Sequence, residues 1–235
     1  MIDFRRLELD FEERSFVAEG KIALGPYKRA LPFYEPGLAP VEDETGWFHI
    51  RPDGSALYPA RYRRAFGYYC ARAAVLDEHG WFHLDLDGKP AYAERRPWVG
   101  NFQYDRCAVC DQNGAYYHIL LDGARLYRQN YSYVGDYYEG AACVRNFDGL
   151  FTHIDSKGEF VHGQYYRELG VFHKGFAVAA DDAGRFHIDK RGRPAYPERY
   201  LFIEPFYNGA AFAITLNGKH VVVGENGKIL RRLDL

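Results

Sequence analysis

Five histidines recur at nearly constant intervals: His49, His83, His118, His153 and His187 are separated by 34, 35, 35 and 34 residues. Imidazole changes charge near neutrality and ligates metals, so such a series could form a metal or anion site, or a pH-sensitive stripe. A zinc centre, however, needs three or four ligands converging on one atom, whereas equivalent side chains on successive units stand at a regular lateral spacing. The better reading is a repeated packing group whose ring hydrogen-bonds the backbone or a carboxylate of a neighbouring unit. No metal site and no cofactor are expected.

Other chemistry-bearing residues are weaker candidates. Cys107-Ala108-Val109-Cys110 is a CxxC motif, but no second pair accompanies it and its phase matches apolar strand positions of other units. The adjacent acids Glu12-Glu13 and Asp181-Asp182 do not make the convergent carboxylate pair that general acid–base work requires. No nucleophile elbow, zinc-protease helix, phosphate loop or dinucleotide fingerprint is present. The chain is therefore expected to be noncatalytic. Exposed aromatics beside arginine are the stuff of protein interfaces and sugar platforms, and Trp47, Trp81 and Trp98 share their neighbourhoods with Arg51, Arg95 and Arg96. Most of the aromatic stripe must still be core, with Tyr68, Tyr137, Phe172 and Phe206 expected to pack between units.

The elements that position these residues follow from a repeat. Five residues after each histidine stands a glycine, at Gly54, Gly88, Gly123, Gly158 and Gly192. Ala39, Ala73, Ala108, Ala142, Ala177 and Ala211 keep the same period, as do Tyr27, Tyr62, Tyr131, Tyr166 and Tyr200, with Arg96 in the remaining copy. A polar-Gly pair precedes most of the histidine segments, and Asp-Gly pairs such as Asp87-Gly88 follow several; these supply the positive φ angles of tight hairpins. Each unit is predicted to be a three-stranded antiparallel meander, exemplified by Ala177–Ala180, Phe186–Asp189 and a short edge piece around Ala195-Tyr196. An aromatic content of 17% suits strands.

The repeat resembles the WG-type, or KWG, β repeats of bacteria. The similarity rests on Tyr34-Glu35-Pro36-Gly37-Leu38-Ala39, Tyr137-Tyr138-Glu139-Gly140-Ala141-Ala142, Phe172-His173-Lys174-Gly175-Phe176-Ala177 and Trp81-Phe82-His83-Leu84-Asp85 with its copies. The Gly that follows Trp in that family is Phe48 or Phe82 here, and His stands where the family has an aromatic. The resemblance implies a noncatalytic binding module, alone or joined to other domains in bacterial proteins.

The expected architecture is all-β: a tandem array of about six antiparallel meanders in one domain over residues 1–235, with an open solenoid favoured over a closed propeller. Residues 1–15 would cap the array as a strand, 16–222 would hold the repeats, and 223–235 a final half repeat. With 30 Lys+Arg against 32 Asp+Glu, the chain lacks the basic excess of a nucleic-acid binder. No stretch is apolar enough to span a membrane, and four cysteines without a framework fit a reducing, cytoplasmic setting. The expected role is a scaffold for protein recognition, with a glycan or small-ligand module, and then a cryptic enzyme, as alternatives. The candidate binding residues are Trp47, Trp81, Trp98, Arg95, Arg96 and the five histidines.

Overall fold

The computed structural model describes residues 3–233. After a 3-10 turn at Phe4–Arg6, the first sheet contains β1 (Glu8–Asp10), β2 (Ser15–Ala18) and β3 (Lys21–Leu24). The second contains β4 (Arg29–Ala30), β5 (Ala39–Asp43) and β6 (Gly46–Ile50); the third, β7 (Arg64–Tyr69), β8 (Arg72–Leu76) and β9 (Trp81–Leu84). β10 (Trp98–Val99), β11 (Arg106–Cys110) and β12 (Tyr116–Leu120) follow, then β13 (Tyr133–Tyr138), β14 (Ala141–Arg145) and β15 (Phe151–Asp155). The last sheet joins β16 (Glu168–Leu169), β17 (Phe176–Asp181) and β18 (Gly184–Asp189) to β19 (Tyr200–Ile203), β20 (Ala210–Thr215), β21 (His220–Gly224) and β22 (Ile229–Leu233). Strands in every sheet are ordered as in the chain, so the fold is all-β and built from repeated antiparallel meanders.

The middle and last strands of the meanders carry the core. In β9, Phe82, His83 and Leu84 are all buried, and β11 is buried from Cys107 to Cys110. A strand with one wet face would alternate; burial of both faces means that successive meanders pack against each other. Two compact units are distinguishable, one of residues 1–114 with 118–125 and one of 115–117 with 126–235.

The meander is phased differently from the expectation. Its first strand precedes the alanine strand, as β16 precedes β17, while the segment around Ala195-Tyr196 makes only an isolated bridge between Ile188 and Pro194. Proline offers no N–H to a ladder. These outer segments instead return along the histidine strand and touch it at both ends, as in the bridges Ile50–Ala56 and Trp47–Tyr62, or Ile154–Phe160 and Phe151–Tyr166. Between the two bridges one hydrogen bond reaches the histidine itself: Leu57, Ala91, Val161 and Ala195 donate their N–H to the carbonyls of His49, His83, His153 and His187. Near the N-terminus, Glu8–Asp10 pairs with β2 as part of the first meander, Leu7 is buried and Phe11 is exposed. At the other end, Ile229–Leu233, in the stretch expected to form a final half repeat or cap, is a strand paired with β21; residues 234 and 235 lie outside the described residues.

Candidate binding surface

The histidines are fully buried, and their bonding defines their role. In His49, His83 and His187 the Nδ1 atom lies 2.5 Å from the hydroxyl of a tyrosine nine residues on, Tyr58, Tyr92 or Tyr196. The Nε2 atoms lie 2.8–3.0 Å from the carbonyl oxygens of Phe66, Gly100 and Glu204, each seventeen residues on and in the next meander. A carbonyl can only accept, so Nε2–H donates, Nδ1 is unprotonated and the tyrosine donates to it. His153 does the same with a substitute: His162 stands 3.0 Å from its Nδ1, the Gly170 carbonyl is 2.8 Å from its Nε2, and the Gln164 N–H donates to His162 Nδ1. Burial pushes the pKa of His49, His83, His153 and His187 down to about 4, against the raising effect of the carbonyl bond. These four rings are neutral staples between meanders. His118 is buried likewise.

The periodic glycine belongs to the same joint. A Cβ on Gly88 would fall 2.1 Å from the Tyr58 ring of the preceding meander, and one on Gly158 2.3 Å from Tyr127. Tyr58 thus holds His49 with its hydroxyl and packs on Gly88 of the next meander, as Tyr92 holds His83 and packs on Gly123.

A second recurring device pins the turns at the opposite end. Asp43 and Arg61, Asp77 and Arg95, and Asp181 and Arg199 are ion pairs eighteen residues apart. Each guanidinium also lies 3.3–3.6 Å over the buried ring of Phe48, Phe82 or Phe186. Although burial opposes its ionisation, hydrogen bonds from Thr45 and Arg61 hold Asp43 at about 2. In the His153 copy the device is replaced throughout: Phe147 and Tyr165 occupy the acid and arginine positions, both exposed, and Thr152 replaces the ring, its hydroxyl buried without a hydrogen-bond partner. A cleft of about 440 Å³ opens beside them, lined by Leu150, Tyr165 and Ala180–Ala183 among others.

The staples also fix what faces solvent. Phe33, Tyr68, Phe102, Tyr137, Phe172 and Phe206 are buried at the end of each first strand or three residues beyond it. His49 packs against Tyr68 with ring centroids 4.9 Å apart, His83 against Phe102 at 4.7 Å, and His187 stacks on Phe206 at 3.7 Å. One or two residues further on, in the hairpin tips, most side chains turn toward solvent. There stand Tyr34, Tyr69 and Tyr104 in the first unit and Tyr138, His173 and Tyr207 in the second, the five tyrosines 38–61% exposed. Adjacent members approach each other: Tyr34 and Tyr69 at 6.5 Å, His173 and Tyr207 at 4.8 Å. The turns beneath them place two successive residues at positive φ, including the non-glycine pairs Cys70-Ala71 and Tyr104-Asp105. In the second unit the Glu139 carboxylate accepts the Lys174 and Gly175 N–H groups, tying adjacent tips together.

The other candidates are dispersed. Trp47 is buried beneath Arg64, Trp81 stacks on Phe66 at 5.7 Å, and Trp98 is exposed over Gly100 at a sheet edge. Arg95 is committed to Asp77 and Phe82, and Arg96 is buried over Tyr92. The five histidines are inside the protein and present no ligand surface. Cys107 and Cys110 are buried free thiols on one strand, three positions apart and therefore on opposite faces. Among the described residues no group of three or more His, Cys, Asp or Glu is arranged to hold a metal, and no helix is long and apolar enough to cross a membrane. Sequence reasoning missed the tip tyrosines, although the adjacent-aromatic pairs Phe33-Tyr34, Tyr68-Tyr69, Tyr137-Tyr138 and Phe206-Tyr207 signal one inward and one outward ring.

These features define an all-β tandem-repeat protein with an aromatic face. No family model matches the chain, and no curated protein sequence is similar to it. Among solved structures it is similar to BamB from Moraxella catarrhalis, at 11% identity over 84% of this chain and 70% of that one, with a TM-score of 0.48. It is also similar to the computationally designed Ika8 protein, at 11% identity over 93% and 79% with a TM-score of 0.47. A eukaryotic initiation factor matches at 9% identity over 89% of this chain and 65% of that one, with a TM-score of 0.53. At these identities the likeness concerns the fold alone.

Proposed function

We propose that the protein is a noncatalytic recognition scaffold, akin to WG-type repeat modules, that grips apolar segments of partner proteins along its hairpin-tip aromatics. The observation that carries this reading is the contiguity of the row. Tyr34 and Tyr69 in the first unit approach within 6.5 Å and His173 and Tyr207 in the second within 4.8 Å, which suits a segment laid across adjacent tips of one unit better than separate sugar pockets, one per meander. Tyrosine supplies large contact area at little entropic cost. The buried histidines, neutral and engaged in structural hydrogen bonds, are poor candidates for acid–base catalysis, which favours a binding role over a cryptic enzyme.

Peptide display against the intact protein tests the reading, with a glycan array run in parallel. Enrichment of aromatic and aliphatic peptides is expected, with affinity reduced by about tenfold in Tyr34→Ser/Tyr69→Ser or Tyr138→Ser/Tyr207→Ser, the scale of losing one or two interface tyrosines. Peptides indifferent to both double variants, or saturable binding confined to glycans, would refute it.

A further inference from the structure

The chain's last described strand differs from the outer segments of the preceding meanders. Three of them, Ser55–Pro59, Lys89–Tyr92 and Arg193–Pro197, contain proline, and these three, like the segments at Arg125 and Phe160, contact their neighbouring strand through isolated bridges. Such irregular edges protect a sheet from adding further strands. β22 has no proline. It pairs with β21 through Leu233–His220, Arg232–Val221, Arg231–Val222 and Ile229–Val223, with an irregularity at Leu230. Among the described residues no strand pairs with its outer edge, and Ile229, Leu230, Arg231 and Arg232 are all exposed.

Charge narrows the choice of occupant. Between residues 217 and 235 stand Lys219, Lys228, Arg231 and Arg232 against Glu225 and Asp234, a local basic excess in a chain of net charge -2. Neither Arg231 nor Arg232 takes part in an ion pair among the described residues. Antiparallel pairing of β22 with a second copy of itself would bring these arginines together, and like charges across a strand pair are destabilising.

Arg231 and Arg232 are consecutive and point to opposite faces of the strand, and we propose that the outer edge of β22 is a strand-addition site for an extended partner segment that carries acidic and apolar residues on both of its faces. Main-chain hydrogen bonds to the free edge supply affinity, carboxylates meet Arg231 and Arg232, and apolar side chains cover Ile229 and Leu230. This surface is separate from the tip aromatics, so either assignment can fail without the other.

The test uses the full chain and a fluorescein-labelled decapeptide in which Glu-Glu and Val-Val pairs alternate, so that each face of the strand carries both residue types, followed by anisotropy. Two N-methylated twins of the peptide, blocked at odd or at even residues, each lose the N–H groups of one edge. Saturable binding is expected, weakened at least about tenfold by one twin and not the other, because strand addition uses one peptide edge. A similar loss is expected in Arg231→Glu/Arg232→Glu, and none in Tyr138→Ser/Tyr207→Ser. Equal binding of both twins would reduce the interaction to charge attraction and overturn the proposal, as would no saturation below about 1 mM. Self-association by sedimentation that disappears in Arg231→Glu/Arg232→Glu would assign the edge to a second copy and overturn it too. The twins act on the wild-type protein, so the result survives a variant that does not fold.

Discussion

Acidification tests the histidine staples directly. Folded His49, His83, His153 and His187 have pKa values held down to about 4 by burial, against the ordinary value of 6.5. For a base with a depressed folded pKa the unfolded chain binds more protons, so stability is fully present above pH 6.5 and falls as pH drops toward 4. Each staple then contributes about 3 kcal/mol across the whole window, and about 2 kcal/mol of that is already lost at pH 5. Two staples lie in each compact unit, so each unit gives up roughly 4 kcal/mol at pH 5, a large part of the 5–15 kcal/mol typical of a domain. Summed over the chain, the unfolding free energy from denaturant melts should fall between pH 7.5 and 5 with an average slope of about two protons taken up on unfolding, steepening to roughly three to four near pH 5. Carboxylates such as Asp43, held at about 2, act only at lower pH and do not enter this window. Imidazole proton resonances provide the second readout, with four that do not titrate above pH 5. An uptake of less than about one proton, or four folded histidines titrating near 6.5, would refute the staple assignment.

Three further outcomes follow from the same geometry. Gly88→Ala, with φ +77° and a Cβ 2.1 Å from Tyr58, should lose roughly 2–5 kcal/mol in denaturant melts, whereas Gly114→Ala, at φ +76° with nothing within 4 Å, should lose only about 1–2 kcal/mol; equal losses would remove the packing role of the periodic glycine. His162→Tyr restores the partner used by His49, His83 and His187, so stability should be unchanged or higher at pH 7, with a larger gain at pH 5 because the burial-depressed His162 is removed; a lower midpoint at pH 5 than wild type would contradict this. Ala71→Gly relieves a residue held at φ +58° and should raise stability by about 1 kcal/mol, and a loss measured in the same melts would show that this turn is not strained.

The period, the all-β class and the turn positions were legible because each depends on single residues repeated in phase: His83, Gly88 and Ala73 can be aligned with their copies by eye. The phase of the meander was not, because the Ala195-Tyr196 segment resembles a strand in composition and only the geometry shows that it touches its neighbour at isolated bridges. Pair relations were harder still. Tyr58 and His49 are nine residues apart and Asp77 and Arg95 eighteen, yet nothing in either residue alone says that it spends its polar group on the other. The aromatic candidates went astray for the same reason: Trp47 and Arg95 have the composition of a binding surface, but Arg64 covers one and Asp77 with Phe82 binds the other. Their polar and aromatic groups are consumed in joining strands, and the tip tyrosines, which make no such joint, are left facing solvent.

The staples and the exposed tips are coupled through adjacent residues. His49 packs on Tyr68, and the next side chain is Tyr69; His187 stacks on Phe206, and the next is Tyr207. A buried ring clamped by a neutral imidazole, itself bonded to a tyrosine and a carbonyl, has almost no rotational freedom, and its successor inherits a fixed direction. That rigidity would lower the entropic cost of ordering the tip aromatics on the proposed partner. It also supplies the surroundings that hold Cys70-Ala71 and Tyr104-Asp105 at positive φ, where an unsupported turn would relax. A repeat that buries its most reactive-looking side chain in five successive meanders fits the proposed binding role: the histidine acts through position, by fixing the direction of the neighbouring aromatic.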